Sequence, residues 1–316
     1  MLLLAVLLSL ASLVAFLPIL FPKGLSFSSP APISLNALKS VGAEMPVPIA
    51  GIVTFANERE RFYYLQDETA GIRIYPYGTD PLPQPGDKIS LCAVVKDTYN
   101  AAIGRRSVSL DRIEIERRTR ASLPSAKVKP IAALIAESTV HEATRVQTSG
   151  IVRAARRDGE HVLLEIGDNG LRLPIKVLDP SGTLTREGLL DAHISVRGVV
   201  QIDYFNPWEE NIARNNELGP LVQVAGPAEL ELLQRAPSDV LLAPSVRALI
   251  TQPEWMQLGH RVRIHGIVVR AETPQILLID NGGLIMPVET PRASEYAHGD
   301  AVEAIGWPTL RRFTVT

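Results

Sequence analysis

The chain has 316 residues, a formal net charge of −2 and a hydrophobic fraction of 46%. This length predicts two or three domains with a sizeable core, and the near-balanced charge excludes a global field that would attract nucleic acid or membranes. The single cysteine, Cys92, lies in an alternating apolar run and is interpreted as a strand residue, which excludes an intrachain disulfide framework and a cysteine-based metal site.

The chain begins with an apolar segment, residues 1–22, that contains no charged side chain. Its length is close to the roughly 20 residues that cross a bilayer as a helix, and it has no polar face. Two interpretations stay open: a cleaved signal peptide or an uncleaved membrane anchor. The absence of a charged first region and of an Ala-x-Ala site favours the anchor. We therefore expect a periplasmic or other extracytoplasmic protein, anchored to the inner membrane or secreted, with residues 23–31 as a spacer.

A unit of about a hundred residues then occurs three times, and each copy contains the tripeptide Gly-Ile-Val within an apolar run. Glycine weakens a strand unless the backbone must bend there, and small closed barrels need such a bend. The three glycines, Gly51, Gly150 and Gly266, therefore predict the same bent strand in each unit.

Each unit continues with an aspartate, a glycine-containing turn and a later Gly-Asp or related pair. Asn-Gly after the aspartate predicts a tight hairpin in the second and third units. The aspartates are interpreted as turn residues that accept backbone N–H bonds, and a shared role as acidic or metal ligands is the alternative. The further positions with predicted structural roles are Asp67, Gly71, Gly86, Asp87, Asp168, Gly170, Asp280, Gly283, Gly299 and Asp300.

Five alternating strands, with a glycine-bent first strand and a hairpin between the second and third, describe an OB-fold barrel. A short amphipathic segment precedes each unit, at 33–38, 130–137 and 244–250, and predicts a helix over one mouth of the barrel. We therefore predict an all-β protein with short helices: three tandem OB-fold-like five-stranded barrels after an N-terminal hydrophobic helix. The predicted domains are 32–121, 130–235 and 244–316, and we expect the last to be truncated before its fifth strand because few residues follow its strand glycine.

The first unit carries the pattern G-I-V-T, then Y-L-Q-D-E-T-A-G-I-R-I-Y, then G-D-K-I. This pattern resembles bacterial OB-fold modules, and three such units in tandem resemble the extracytoplasmic sensor region of large bacterial sensor histidine kinases. Related units occur in diguanylate cyclases and beside secreted nucleases. The resemblance covers residues 32–316 and is weakest in the second unit, where the Gln-Asp pair is lost and Leu190-Asp191 replaces Gly-Asp. It implies a second transmembrane helix and a kinase in a longer protein, in other words a signalling output domain in cis that is absent from this sequence.

The sequence shows no pattern typical of an enzyme. His-x-x-x-His, Cys-x-x-Cys and Gly-x-Ser-x-Gly are all absent, as are the phosphate-loop and dinucleotide glycine fingerprints. We therefore expect a non-catalytic chain with no cofactor and no metal site.

Candidate ligand-binding residues cluster in the first unit, which contains five of the seven tyrosines. Aromatic rings interleaved with arginines on the face of strands two and three would suit stacking on bases or sugars. The alternative is that these rings are barrel core or exposed strand residues. Residues 44–120 contain eleven basic and eleven acidic side chains, which argues against nucleic acid. The candidates are Arg61, Tyr64, Arg73, Tyr75, Tyr77, Arg105 and Arg106.

The second unit has its own candidate, Trp208, in an aromatic insertion between strands four and five. Such a loop is either a ligand lid or an inter-domain contact, and we favour the contact. The leading hypothesis is a sensor module of a two-component signal-transduction protein that binds an unknown small-molecule or polymer ligand and meets the membrane through its N-terminal segment. The alternatives are a secreted or anchored OB-fold protein that binds single-stranded nucleic acid or polysaccharide, and an accessory region of an extracellular nuclease.

Overall fold

A computed structural model describes residues 31–76, 78, 81–100, 105–203, 219–243, 245–252, 255, 259–308 and 313–315. The apolar N-terminal segment lies outside these residues, and no helix among them is long and apolar enough to span a membrane. Residues 32–316 form one compact body that is mostly β-sheet with short helices, so the predicted structural class is confirmed.

The first unit contains one five-stranded sheet in the order β3-β2-β1-β4-β5. Alternating side chains of β1 enter the core, and the preceding helical turn adds Leu35 and Leu38 to it. The elements are a 3-10 helix (Leu35–Ser40), β1 (Pro46–Asn57), β2 (Phe62–Gln66), β3 (Gly71–Ile74), β4 (Asp87–Asn100) and β5 (Arg105–Arg120).

The second unit contains seven strands, and β10 pairs with β7 so that the sheet closes on itself. Helix α1 packs Ile131 and Leu134 into its core. The elements are β6 (Lys127–Val128), α1 (Ile131–Ala136), α2 (Ser138–His141), β7 (Arg145–Asp158), β8 (His161–Asp168), β9 (Leu171–Leu178), α3 (Arg186–Leu189), β10 (His193–Asp203), β11 (Gly219–Val224), a 3-10 helix (Pro227–Glu229) and β12 (Leu230–Gln234).

The third unit also closes, because β14 pairs with β17 and a short last strand pairs with both β16 and β17. We expected this unit to stop before its fifth strand, but three residues fill that position. A short strand suffices because it only has to bridge β16 and β17. The elements are β13 (Leu241–Leu242), α4 (Val246–Thr251), β14 (Val262–Thr273), β15 (Ile276–Asn281), β16 (Leu284–Glu289), a 3-10 helix (Ala293–Glu295), β17 (Ala301–Pro308) and β18 (Phe313–Val315).

The strand order in the two closed sheets is that of the OB fold. The five main strands of each pair in the order one, two, three, five, four and back to one, with strands three and five parallel. The first unit has the same order up to the contact between β3 and β5, which lie side by side without a hydrogen-bonded ladder.

The three strand glycines occupy equivalent positions against the second strand of each unit. A Cβ atom on Gly51, Gly150 or Gly266 would lie 2.8, 3.0 or 3.0 Å from a carbonyl oxygen of that strand. A β-bulge follows two residues later in each case. Glycine therefore allows the two backbones to approach where the bulge increases the twist of the long first strand.

The predicted turns are present, and several aspartates stabilise loops. Asn169 and Gly170 form one two-residue hairpin turn with positive φ, and Gly282 and Gly283 form the other. Asp67 accepts N–H bonds from its own turn and from Leu35, at 2.7 Å. Of the other aspartates with predicted structural roles, Asp280 accepts from Gly283 N, and Asp300 accepts from Ala297 N.

Asp87 has a larger role, because it accepts a bond from Gln84 N and ion pairs with two arginines of β5, Arg118 and Arg120, at 2.7 and 2.9 Å. Burial opposes ionisation of this carboxyl, but these donors together hold its pKa below its usual range.

One alignment inferred from the sequence needs correction. Asp191 does not stand in the aspartate position of a Gly-Asp pair. It has a φ of 68°, like Gly86 and Gly299, and its N–H reaches the bulge of the first strand as theirs do. Asp191 therefore occupies the glycine position of the second unit.

Candidate functional site

Tyr64, a predicted ligand-binding residue, is buried between the first and second units. Its side chain is 1% exposed and lies in an aromatic cluster with Phe55 and Phe62 on the outer face of β1 and β2. Ala143 and Val199 of the second unit complete this cluster. Tyr64 is thus a contact between units, inaccessible to a ligand in this arrangement.

Polar contacts fix the same junction. The Tyr64 hydroxyl donates to Gln201 Oε1 at 2.9 Å, and that oxygen also accepts from Gln223 Nε2. Gln66 Oε1 accepts from Arg145 N at 2.8 Å. These glutamines are buried, so each unit supplies partners for polar groups of the other.

Backbone contact and an ion pair complete the first junction. A methyl group on Gly71 would overlap the carbonyl oxygen of Ala143, so the backbones of the two units touch at this point. At the edge of the junction, Lys176 Nζ lies 2.9 Å from Glu60 Oε1. The first and second units therefore share a packed, specific interface.

A second junction joins the second and third units. The carboxylate of Asp191 is buried, and it lies 3.1 Å from His260 Nδ1 and 3.2 Å from Arg261 Nε. The Arg153 guanidinium lies 5.6 Å from the centre of the buried Trp307 ring, a cation–π distance.

Gly167 explains how Arg153 reaches the third unit. The Arg153 side chain crosses the backbone of Gly167 so closely that any Cβ atom there would overlap it. Beside it, burial raises the pKa of the Glu165 carboxyl despite the nearby guanidinium of Arg172. Gly167 precedes Asp168 where the first unit has Gln66 before Asp67, and a side chain at this position would overlap Arg153. The crossing arginine therefore accounts for the loss of the Gln-Asp pair in the second unit.

The two junctions use equivalent positions. Arg145 and Arg261 each precede the strand glycine of their unit by five residues. Val199 lies opposite Arg145 on the fourth strand, and Trp307 follows Gly306, which is paired with Val262. Arg145 and Val199 contact the outer face of the first two strands of the first unit, and Trp307 contacts Arg153 on the first strand of the second unit. Arg261 instead contacts Asp191, in the loop before the fourth strand of the second unit. Sequence reasoning missed these contacts because no local pattern marks an outer strand face as covered.

Tyr75 is the predicted aromatic residue that lies on the surface. It follows β3, its side chain is 44% exposed, and its ring centre lies 5.8 Å from that of Phe62. The Arg73 guanidinium lies 5.5 Å from the centre of the Tyr75 ring and 6.0 Å from that of Phe62. Arg73 and Tyr75 thus form a cation–π pair at the edge of the strand face that OB folds use for ligands.

The other predicted ligand-binding residues are distributed less tightly. Arg61 lies in the turn between β1 and β2 with a φ of 57°. Arg105 and Arg106 lie at the start of β5, opposite Asn100 and Tyr99. Tyr77 and Trp208 lie outside the described residues.

Strands β4 and β5 form a hairpin arm that extends beyond the rest of the first sheet. The pairing of β1 with β4 ends at Val94, whereas β4 and β5 remain paired from Lys96 with Ser109 to Asn100 with Arg105. The paired residues of this arm, 96–100 and 105–109, include three basic residues and one acidic residue. Five paired residues extend it by about 16 Å.

The third unit carries an open cleft of about 480 Å³ on its outer face, lined by His265, Ile267, Asp280, Asn281 and Glu303 among others. In the parts of the chain that the structure describes, no group of three or more His, Cys, Asp or Glu side chains is arranged to hold a metal ion.

Comparison with known proteins gives no family: no family model matches the chain, and no curated protein matches it. Among solved structures, a murine DNA-binding protein bound to double-stranded DNA matches 61% of this chain and 98% of its own, with 13% identity and a TM-score of 0.29. A replication protein A heterotrimer bound to single-stranded DNA matches 88% of this chain and 94% of its own, with 10% identity and a TM-score of 0.29.

The aspartyl-tRNA synthetase from Entamoeba histolytica matches 36% of this chain with 15% identity and a TM-score of 0.27, and the match spans only 23% of the synthetase chain. The OB-type topology of the present chain rests on its own strand order.

Proposed function

We propose that the chain is a non-catalytic binding protein of three tandem OB-type barrels and that the first barrel binds single-stranded nucleic acid. The single observation that carries this proposal is the exposed ring of Tyr75 at the end of β3, with the Arg73 guanidinium beside it. Proteins that bind single strands without sequence preference use exposed aromatic rings and nearby arginines, because every base has a face that can stack on a ring.

The β4–β5 arm supports the same proposal. In OB folds the ligand contacts the face of strands two and three and the loops that join strands one to two and four to five. The arm is the extended form of that last connection, and Arg105 and Arg106 lie in its paired section. Its net positive charge suits contact with phosphates, while the aromatic pair suits contact with bases.

The charge balance of the first barrel limits the strength of this interaction. With basic and acidic residues equal in number, binding depends on a few local contacts instead of a general field. This balance favours a neutral polysaccharide as the competing ligand, since sugars also stack on aromatic rings. The two ligands differ in one measurable property, the dependence of affinity on salt.

We predict that the full-length chain in mild detergent binds a fluorescent single-stranded oligonucleotide, measured by anisotropy. If three arginines contact phosphates, affinity falls about 20-fold between about 50 and about 200 mM salt. Tyr75→Ala should weaken binding about tenfold, because it removes one stacking surface. Arg73→Ala should weaken binding and lower the salt dependence.

The matched control is Arg292→Ala, since Arg292 is an exposed arginine of the third barrel that pairs with Glu295. It should leave the affinity unchanged. Absence of binding at low salt would exclude nucleic acid at this site. An affinity that changes neither with salt nor with Tyr75→Ala would exclude it as well, and polysaccharide would then be the ligand to test.

The proposal also includes where the protein lies in the cell. The apolar segment at 1–22 supports an extracytoplasmic position, either anchored or secreted. The role as sensor module of a signalling protein, which the sequence resemblance implies, stays a prediction, and so does the accessory region of a nuclease.

A further inference from the structure

Two Asn-Gly dipeptides lie at the hairpins that join the second and third strands of the second and third barrels. An asparagine that precedes a glycine is prone to lose its side-chain amide, because glycine has no side chain to shield its backbone nitrogen. The structure distinguishes the two asparagines, Asn169 and Asn281, by the contacts of their amides.

The amide of Asn281 is held at both ends. Its Oδ1 accepts a hydrogen bond from Val246 N, in the first turn of α4, at 3.1 Å. Its Nδ2 donates to the carbonyl oxygen of His265, in β14, at 2.8 Å. This side chain therefore joins the hairpin to the helix and to the first strand, and any reaction of the amide requires both bonds to break.

The amide of Asn169 lies at the exposed tip of its hairpin, where the backbone has a φ of 48°. It forms no hydrogen bond with any residue that the structure describes. The next residue is open as well, since no atom of the described residues lies within 4 Å of a Cβ atom placed on Gly170. The amide and the neighbouring nitrogen therefore have room to approach each other.

We infer that Asn169 is a site of spontaneous deamidation and that Asn281 is protected from it. The Gly170 nitrogen attacks Asn169 Cγ, so that an N–Cγ bond forms and closes a succinimide ring. The Cγ–Nδ2 bond breaks, and ammonia leaves with the proton of the Gly170 N–H. Water then opens the ring at either carbonyl, which gives aspartate or isoaspartate and adds one negative charge.

The two products affect the hairpin differently. Aspartate tolerates the left-handed backbone that Asn169 adopts. Isoaspartate carries the main chain through its side-chain carbon, which lengthens a turn whose geometry is fixed by two residues. The turn lies just before Arg172, which pairs with Glu165 at 3.0 Å close to Arg153 and the junction with the third barrel. Isoaspartate at this position should therefore destabilise the hairpin and weaken that junction.

Mass spectrometry of the full-length chain, incubated in mildly alkaline buffer with mild detergent, tests this inference. Trypsin releases peptides 158–172 and 271–292, each of which contains a single asparagine, and the replacement of NH₂ by OH is followed in both. In the folded chain Asn169 should react about 30-fold faster than Asn281, the factor that corresponds to two hydrogen bonds of ordinary strength. In urea the two should react at similar rates, because both precede a glycine.

Asn169→Asp is the matched variant, because it removes the reactive amide and supplies the aspartate product. This variant should unfold at the same urea concentration as fresh wild type, whereas aged wild type should unfold at a lower one. Equal rates at Asn169 and Asn281 in the folded chain would overturn the assignment, and so would a difference that persists in urea. Aged wild type that is as stable as Asn169→Asp would overturn the proposed effect of isoaspartate.

Discussion

Replacing Tyr64 with alanine is expected to lower the free energy of unfolding by about 3–5 kcal/mol, as for other buried aromatic residues. The ring is buried against Phe55 and Phe62 and against the second unit, so its removal leaves a cavity at the junction. It also removes one of the donors to Gln201 Oε1, which then accepts from Gln223 alone among the two named donors. Urea denaturation of the full-length chain, followed by tyrosine and tryptophan fluorescence, measures the change.

Tyr64→Phe is the matched control for the cavity. It retains the ring and removes the hydroxyl bond to Gln201, so about 1 kcal/mol is expected. If the alanine variant were no less stable than the phenylalanine variant, Tyr64 would not be packed between two units. If Tyr64→Ala abolished oligonucleotide binding while leaving stability intact, the residue would belong to a ligand site instead.

Gly71→Ala is expected to destabilise the chain by about 1–3 kcal/mol, the usual cost of overpacking. The added methyl group would overlap the carbonyl oxygen of Ala143, which is backbone and has little freedom to move. The first and second units must therefore shift apart. Limited proteolysis should show the same effect as faster cleavage in the segment between β5 and β6.

Gly219→Ala provides the comparison, because no atom of the residues that the structure describes lies within 4 Å of a Cβ atom placed on Gly219, in β11. It should change stability by less than about 0.5 kcal/mol. Equal effects of the two substitutions would mean that the close approach at Gly71 does not hold the units together.

Much of the fold could be predicted from sequence because its determinants are local. A glycine within an apolar run recurs at equivalent places in all three units, and an Asn-Gly pair recurs in the second and third, and each specifies backbone geometry over a few residues. The short fifth strand of the third unit could not be predicted, because three residues carry too little periodicity to identify a strand.

The candidate site was harder to predict, because alternation along a strand shows which side chains share a face but not what covers that face. Tyr63 and Tyr64 point to opposite faces of β2, and both are buried. Tyr63 lies in the core of the first unit, where burial raises the pKa of its hydroxyl, whereas Tyr64 meets the second unit. Which outer face is covered depends on contacts between units that are distant in sequence.

Departures from the repeated pattern were the signal that sequence reasoning left unused. Gly167 and Asp191 break the pattern in the second unit, and both lie at its junction with the third unit. In a tandem array, a position that differs in one copy is therefore a candidate for contact with a neighbour.

The most direct test of the proposed function is ultraviolet crosslinking of a thymine-rich single-stranded oligonucleotide to the full-length chain, followed by identification of the crosslinked peptides. The proposal predicts crosslinks at Tyr75 and within the β4–β5 arm, and their loss as salt is raised. Crosslinks confined to the second or third unit, or none under conditions where the oligonucleotide is bound, would contradict it.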